Sequence, residues 1–393
     1  MKPDTLLTVA GRDPEANFGI VNPPVYHAST VLYPNLEALD DASRHRLPGK
    51  VYYGRYGTPT TFALEEAVAA LEGGWRSIAV GSGVAAVTAS LLAFVKAGDQ
   101  VLIVDSVYSP SRRICNQLLA RFGVATTYYD PAIGARIAEL IQPNTRVVFL
   151  ESPGSLTFEV QDAPAIIAVA KQAGVTVVVD NSWSAGLYFK PLALGADISI
   201  QAATKYIGGH SDLMMGLLTT TEAAYQPLRH TISDLGCASG PDDCYLALRG
   251  LRTLGVRLAR HWQTGVKLAE WLKSRPEVVR VRHPALPDDP GHSLWKRDFT
   301  GASGLFSFEI RVVPRSALAA MVDGMKLFGM GYSWGGFESL ILPSDPRPIR
   351  TATSWPGDTS LIRLHAGLED PDDLIADLEA GFARLNAALG AGR

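Results

Sequence analysis

Cysteine is scarce in this chain of 393 residues, which contains only Cys115, Cys237 and Cys244. An odd number without paired spacing argues against a disulfide framework and favours a reducing, cytoplasmic compartment. The first residues precede no long apolar segment, so we expect no signal peptide. No apolar run reaches the length of a membrane span, so we expect no membrane association.

An excess of charge of one sign is also lacking. The 36 basic and 39 acidic residues give a net charge of -3, so we expect neither nucleic acid nor an anionic membrane as a partner. The arginines from Arg249 to Arg260 are interpreted as a solvated helix face. The eight histidines have no HExxH or Cys/His ligand spacing, so we expect no metal site.

Apolar residues are plentiful, at 47% of the chain against 19% charged, which is enough for large buried cores. From about residue 61 to 220, apolar strand candidates alternate with helical patterns, which predicts an α/β fold with a mostly parallel sheet. The predicted strands are Ser77–Val80, Val101–Asp105, Arg146–Glu151, Val175–Asp180, Asp197–Gln201 and Met214–Thr220. The predicted helices lie near 84–96, 110–122 and 162–173.

The length of the chain suits more than one domain. We expect a loop-rich N-terminal arm over 1–60 that wraps over the body or contacts a neighbouring subunit. The large α/β domain is predicted over 61–250 and a smaller C-terminal α+β domain over 251–393. One long helical stretch is predicted near 242–274.

A glycine-rich turn, Gly81–Ala86, follows a predicted strand and opens a predicted helix. Its main-chain N–H groups can bind a phosphate at the positive end of the helix. The same residues match a permissive dinucleotide pattern, and Asp105 ends the next strand where a ribose-binding acid would lie. Dinucleotide binding, binding of another phosphate and a plain tight turn all remain open from this motif.

Two polar residues, Asp180 and Lys205, follow neighbouring predicted strands. Because ligands of open α/β sheets bind at the carboxyl ends of strands, both side chains can face one cleft. A lysine in such surroundings is easily desolvated and its amine becomes a usable nucleophile. A lysine and an acid that holds a pyridinium nitrogen protonated are what pyridoxal phosphate chemistry requires. Taken singly, a helix cap and a surface lysine remain the alternatives.

Four further residues are candidates for ligand contacts. Tyr108 could stack on a planar ring, and Tyr53 and Arg55 could bind a phosphate, with loop anchoring as the alternative. Arg363 lies in an apolar strand, where an unpaired charge is costly. We therefore expect a carboxylate partner, either structural or from a substrate.

Together these residues resemble the Cys/Met-metabolism pyridoxal phosphate-dependent enzymes of fold type I, and the likeness covers nearly the whole chain. The resemblance implies the aspartate aminotransferase fold, with a mostly parallel large domain and a smaller α+β domain. The motifs that carry it are Asn22–Tyr26, Tyr53–Thr60, Ser82–Ala86, Asp180–Trp183, Thr204–Tyr206, Gly209–Asp212 and Ile362–Glu369.

The resemblance implies a role for each matching residue. Lys205 would bind pyridoxal 5'-phosphate covalently and, with Tyr108, form the catalytic pair. The remaining cofactor contacts implied are Asp180 to the pyridine nitrogen, Tyr108 to the ring, Gly83, Val84 and Thr204 to the phosphate, and Tyr53 and Arg55 to the phosphate from a neighbouring subunit. The substrate contacts implied are Arg363 to the α-carboxylate, Ser333 beside it, Trp334 shaping the pocket and Tyr56 at its mouth.

Within the family, Asp105–Tyr108 and Gly331–Leu340 most resemble the bacterial cystathionine β-lyases. This implies a cytoplasmic carbon–sulfur lyase of methionine biosynthesis and transsulfuration, a small amino-acid substrate and a homo-oligomer, a dimer at minimum and a homotetramer by precedent. Three residues depart from the family pattern: Ala202 stands where many relatives have a phosphate-binding serine, Tyr56 replaces a polar or basic residue and Ser182 replaces threonine.

Other functions stay open on the sequence. A γ-lyase, γ-synthase or cysteine desulfhydrase could use the same scaffold, although Trp334 argues against γ-chemistry. A nicotinamide-dependent dehydrogenase would use Gly81–Ala86 and Asp105 but leaves Lys205 unexplained. A non-catalytic regulatory binder would have no need of that lysine.

Overall fold

The large sheet of this computed structural model, which describes residues 1–44 and 49–390, has seven strands in the order β1-β7-β6-β5-β4-β2-β3. Strands β2 to β6 pair in parallel, whereas β7 runs antiparallel to both β1 and β6. Its strands are β1 (Arg76–Val80), β2 (Gln100–Val104), β3 (Ala125–Tyr129), β4 (Thr145–Glu151), β5 (Thr176–Asp180), β6 (Ile198–Ala202) and β7 (Gly216–Thr220).

The smaller sheet lies in the C-terminal part of the chain and is entirely antiparallel, in the order β10-β11-β9-β8. Its strands are β8 (Val278–Arg282), β9 (Leu305–Arg311), β10 (Leu340–Ser344) and β11 (Thr359–His365). The helices of the described residues are α1 (Pro3–Val9), α2 (Leu36–Arg44), α3 (Pro59–Glu72), α4 (Gly83–Leu92), α5 (Ser109–Arg113), α6 (Ala163–Gln172), α7 (Glu222–Asp234), α8 (Pro241–Leu251), α9 (Leu254–Lys273), α10 (His292–Asp298), α11 (Arg315–Val322) and α12 (Pro371–Gly390).

The predicted α/β fold is confirmed, and each predicted strand of the large sheet occurs within two residues of its expected bounds. The central strands β2, β4 and β5 are apolar and buried on both faces, as parallel strands covered by helices are. Strand β3 was not predicted. Its sequence, Ala-Thr-Thr-Tyr-Tyr, suits a strand by propensity but is not an apolar run.

Two predicted helices differ from the structure. The helix expected near 110–122 is a short α-helix that continues as a π-helical segment, Ile114–Leu119. The stretch expected near 242–274 is two helices, α8 and α9, because the chain leaves helical hydrogen bonding near Thr253. The predicted division into domains after residue 250 falls in the last turn of α8 and stays a prediction.

The loop between β10 and β11 joins the two sheets. The Asp105 carboxylate at the end of β2 accepts hydrogen bonds from the main-chain N–H groups and hydroxyls of Thr351 and Thr353 and from Arg112. These donors hold the pKa of Asp105 at about 2 despite its burial. These hydrogen bonds hold the loop between β10 and β11 at the carboxyl end of β2. None of the helices in residues 1–44 and 49–390 has the length and apolar character of a membrane span.

Candidate active site

A cavity of about 420 Å³ opens at the carboxyl ends of β4, β5 and β6, beneath residues of the small sheet. It brings together most of the residues that the sequence singled out. Those that line it are Gly83, Val84, Tyr108, Asp180, Thr204, Lys205, Ser333, Trp334 and Arg363. Among described residues, no group of three or more His, Cys, Asp and Glu side chains could hold a metal ion.

Lys205 lies three residues beyond β6, in the turn that returns toward β7. Its Nζ donates a hydrogen bond to Ser333 Oγ at 2.7 Å and lies 5.1 Å from the centroid of the Trp334 ring. Burial lowers the pKa of Lys205 to about 8, repulsion from Arg363 adds to this, and Asp180 acts in the opposite direction. A lysine of this kind supplies a neutral, nucleophilic amine near neutral pH.

Asp180 ends β5 and faces the same cavity. Its Oδ1 accepts a hydrogen bond from Ser182 N–H at 3.0 Å. Burial raises the pKa of Asp180, while Ser182 and Lys205 counteract that rise. A carboxylate in this position can pair with a protonated ring nitrogen.

The part of the cavity at the first turn of α4 has the features of a phosphate site. The main-chain N–H groups of Gly83 and Val84 lie in the first turn of α4, where no carbonyl of the preceding turn is available to them. A Cβ on Gly83 would lie 2.9 Å from the Ala202 side chain, so the close approach of this turn to β6 requires glycine. Thr204 lies beside it, and its hydroxyl accepts a hydrogen bond from Met215 N–H. The residues that line this cavity therefore fit a phosphorylated ring whose nitrogen pairs with an acid.

Arg363 comes from the small sheet, on β11, and is held over the cavity by the loop that contains Ser333. Its Nη2 donates to the carbonyl oxygen of Ser333 at 3.0 Å. Burial lowers its pKa, and among the described residues no carboxylate forms an ion pair with it. Its charge is therefore available to a ligand carboxylate.

The loop Ser333–Gly336 is closely fitted to Lys205. Ser333 has a φ of 81°, a conformation that non-glycine residues adopt only where their surroundings hold them. At Gly335, which has a φ of 92°, a Cβ would lie 2.7 Å from the main chain of Lys205 and Tyr206. This packing sets Ser333 and Trp334 against the amine.

Three predicted site residues lie outside this cavity in the chain. Tyr53 is exposed, and the Arg55 guanidinium donates to the carbonyl oxygen of Ser233 at 2.9 Å. Tyr56 lines a separate cavity of about 150 Å³ that also contains Glu65. Their contacts to a cofactor or substrate stay predictions.

Sequence reasoning missed several residues that line the cavity. Glu151 ends β4 in the same way that Asp180 ends β5, a signal that was present in the predicted strand bounds. The loop 153–158 and the side chain of Met214 complete the wall. Tyr332, next to Ser333, lies at the exposed rim.

The acid that the sequence offered for a dinucleotide site is engaged elsewhere. Asp105, the candidate ribose-binding residue, is buried among Arg112, Thr351 and Thr353, as described above. Its carboxylate is therefore not directed to a ribose.

A sequence profile of the family described as Cys/Met metabolism PLP-dependent enzyme matches residues 4–383. The chain is 48% identical over 390 residues to a cystathionine beta-lyase, MetC, of Escherichia coli, which covers 98% of this chain and 99% of that protein. It is 42% identical over 396 residues to an L-alanine/L-glutamate racemase of Wolbachia pipientis, with 98% of each chain covered. The crystal structure of a cystathionine gamma synthase from Xanthomonas oryzae superposes with a TM-score of 0.90 at 32% identity, covering 98% of this chain and 99% of that one.

Proposed function

The chain belongs to the Cys/Met metabolism PLP-dependent enzymes, and from this premise we propose that it is a carbon–sulfur β-lyase that converts L-cystathionine into homocysteine, pyruvate and ammonia. Its cofactor is pyridoxal 5'-phosphate. The proposal rests on the single cavity that unites Lys205, Asp180, Arg363 and Trp334, in a chain 48% identical to a cystathionine beta-lyase. Such an activity belongs to methionine and sulfur amino-acid metabolism.

We propose that residues from several elements around the cavity bind the cofactor. Gly83, Val84 and Thr204 would hold the phosphate, Asp180 would pair with the ring nitrogen, and Tyr108 would lie against the ring. Lys205 would form the covalent attachment. When bound, pyridoxal phosphate supplies an electron-accepting ring that stabilises negative charge at the substrate Cα.

Substrate binding in this proposal depends on Arg363. Its guanidinium, which forms no ion pair with a carboxylate of the described residues, would bind the α-carboxylate with paired, charge-assisted hydrogen bonds. Because Ser333 and Trp334 pack against Lys205, a substrate held by Arg363 would have its Cα beside the amine.

We assign the proton transfers to Lys205. Its amine, freed when the substrate binds, would take the proton from Cα, which a base with a pKa near the working pH does efficiently. The Cβ–S bond then breaks, and the ammonium of Lys205 would give its proton to the departing sulfur. The thiol product is homocysteine, and the three-carbon fragment is hydrolysed to pyruvate and ammonia.

We further propose a homo-oligomer with a dimer as the minimum active unit and a homotetramer as the complete assembly. Tyr53 and Arg55 lie outside the cavity of their own chain, and the same arm exposes Phe18 at 98% and Leu32 at 90%. Mixed oligomers of Lys205→Ala and Arg55→Ala chains test this, because only a site shared between subunits regains activity on mixing. Activity that stays at the level of the separate variants would contradict it.

The racemase relative is a specific reason to test a second activity. Racemisation begins with the same removal of the Cα proton but returns a proton to the opposite face. We expect elimination to prevail here when the substrate carries sulfur at Cβ, because sulfur is a good leaving group. Alanine has no such group, so L-alanine separates the two activities.

The experiment is to incubate the purified protein with L-cystathionine and to identify the keto acid and the thiol. Pyruvate with homocysteine is the expected result. 2-Oxobutyrate with cysteine would establish γ-elimination and contradict the proposal. Racemisation of L-alanine without any cleavage of L-cystathionine would establish a racemase instead.

A further inference from the structure

Two carboxyl groups lie side by side at the carboxyl ends of two central strands of the large sheet. Glu151 and Asp180 occupy paired positions at the ends of the parallel strands β4 and β5, and both line the cavity. Paired residues of neighbouring parallel strands point to the same face of the sheet. The two acids therefore share one partly buried environment, in which two negative charges repel each other strongly.

The partners of the two acids differ. Asp180 accepts the hydrogen bond from Ser182 and feels the positive charge of Lys205. Glu151 Oε2 accepts the main-chain N–H of Tyr108 at 2.7 Å, and no ion pair with a lysine or arginine is found for it in the described part of the chain. Burial and the charge of Asp180 both raise the pKa of Glu151 well above its usual value.

We propose that Glu151 is a positioning residue that stays protonated, so that the negative charge of the pair remains on Asp180 while Glu151 anchors Tyr108 beside the cofactor ring. This inference rests on the proposed function, since it concerns the same cavity. A protonated carboxyl group needs no cationic partner, which agrees with the lack of an ion pair to Glu151 among the described residues. The charge of Asp180 is then directed to the ring nitrogen without competition from a second carboxylate.

The test compares two substitutions in the holoenzyme by the dissociation constant of pyridoxal phosphate. Glu151→Ala removes the acceptor for Tyr108 N–H, and we expect cofactor binding to weaken about tenfold, which is ~1.4 kcal/mol. Glu151→Gln keeps a neutral acceptor of the same size and is expected to restore most of that loss. Equal weakening by both substitutions would overturn the proposal, because it would mean that a charged carboxylate is required. Wild-type affinity in Glu151→Ala would also overturn it.

An infrared difference spectrum between wild type and Glu151→Gln reports the protonation state of Glu151 directly. We expect wild-type protein to show a protonated-carboxyl C=O band that Glu151→Gln lacks. The exposed Glu139 provides the control, since Glu139→Gln leaves that band in place. A wild-type spectrum in which Glu151→Gln removes only a carboxylate band would refute the protonated state, even if Glu151→Ala does not fold.

The two proposals can fail separately. Cofactor affinity and the infrared band do not require turnover, whereas the identity of the keto acid does not depend on Glu151. Wild-type protein that yields pyruvate but fails the Glu151 tests retains the β-lyase assignment. Protein that passes the Glu151 tests but yields no pyruvate loses that assignment alone.

Discussion

Lys205 is expected to react as a neutral amine near neutral pH. An ordinary lysine with a pKa of 10.5 is about 0.03% neutral at pH 7, whereas a pKa of about 8 makes it about 9% neutral. The buried position of Lys205 therefore raises the concentration of the reactive form about 300-fold. This advantage should appear as a faster covalent attachment of the cofactor.

Two substitutions move this pKa in opposite directions. Arg363→Gln removes a positive charge that disfavours the ammonium, so the pKa of Lys205 should rise. Asp180→Asn removes a negative charge that favours the ammonium, so the pKa should fall. Opposite shifts from two neutralising changes distinguish electrostatics from a general loss of structure.

The assay is the rate at which apoenzyme attaches pyridoxal phosphate, followed by absorbance over a range of pH. The midpoint of the rate profile is compared rather than its amplitude, because both substitutions also remove proposed ligand contacts. Lys205→Ala supplies the background. We expect a wild-type midpoint near pH 8, a higher one for Arg363→Gln and a lower one for Asp180→Asn. A wild-type midpoint near 10.5, or a downward shift for Arg363→Gln, would refute the reasoning.

The remaining predictions concern the ligand carboxylate, the junction of the two sheets and the phosphate site. Arg363→Ala should lower kcat/KM for L-cystathionine about 10- to 150-fold, because charge-assisted hydrogen bonds contribute ~1.5–3 kcal/mol, with the cofactor absorbance retained; unchanged steady-state kinetics would contradict this. Asp105→Asn should remove about 2 kcal/mol of stability at neutral pH. Because the folded pKa of about 2 lies below the unfolded 3.8, wild type loses this contribution as pH falls from about 4 toward 2; urea unfolding should show that loss in wild type but not in the variant. Gly83→Ala places a Cβ against Ala202 and should weaken cofactor binding about tenfold. The matched change Gly240→Ala, which meets open space, should bind the cofactor as wild type does, and equal effects of the two would exclude the steric cause.

The fold was predictable where local pattern decides it. Apolar runs such as Thr176–Asp180 define the central strands, because a strand covered on both faces must be apolar on both. The direction of β7 was not predictable, since a strand of the same composition can pair either way. Strand β3 was missed for a related reason: its Thr and Tyr residues pack at the sheet edge, where a continuous apolar run is unnecessary.

The site was predictable where chemistry and strand ends coincide. Lys205 and Asp180 follow neighbouring strands, and the structure brings them to one cavity. Glu151 ends the next strand, β4, but its proposed role depends on Asp180, which lies beside it only in the folded chain. Asp105 was a candidate site residue in the sequence but has a structural role in the fold. The sequence could not indicate this role, because its partners Thr351 and Thr353 lie 246 and 248 residues away along the chain. Local sequence allowed a ribose-binding acid there, and long-range packing made it the junction between two sheets.

Reduction of the holoenzyme with borohydride, followed by mapping of the modified peptide, identifies the lysine that carries the cofactor. We expect one pyridoxyl group per chain, on Lys205, and none in Lys205→Ala protein. Attachment to another lysine, such as the partly buried Lys190, would contradict this expectation.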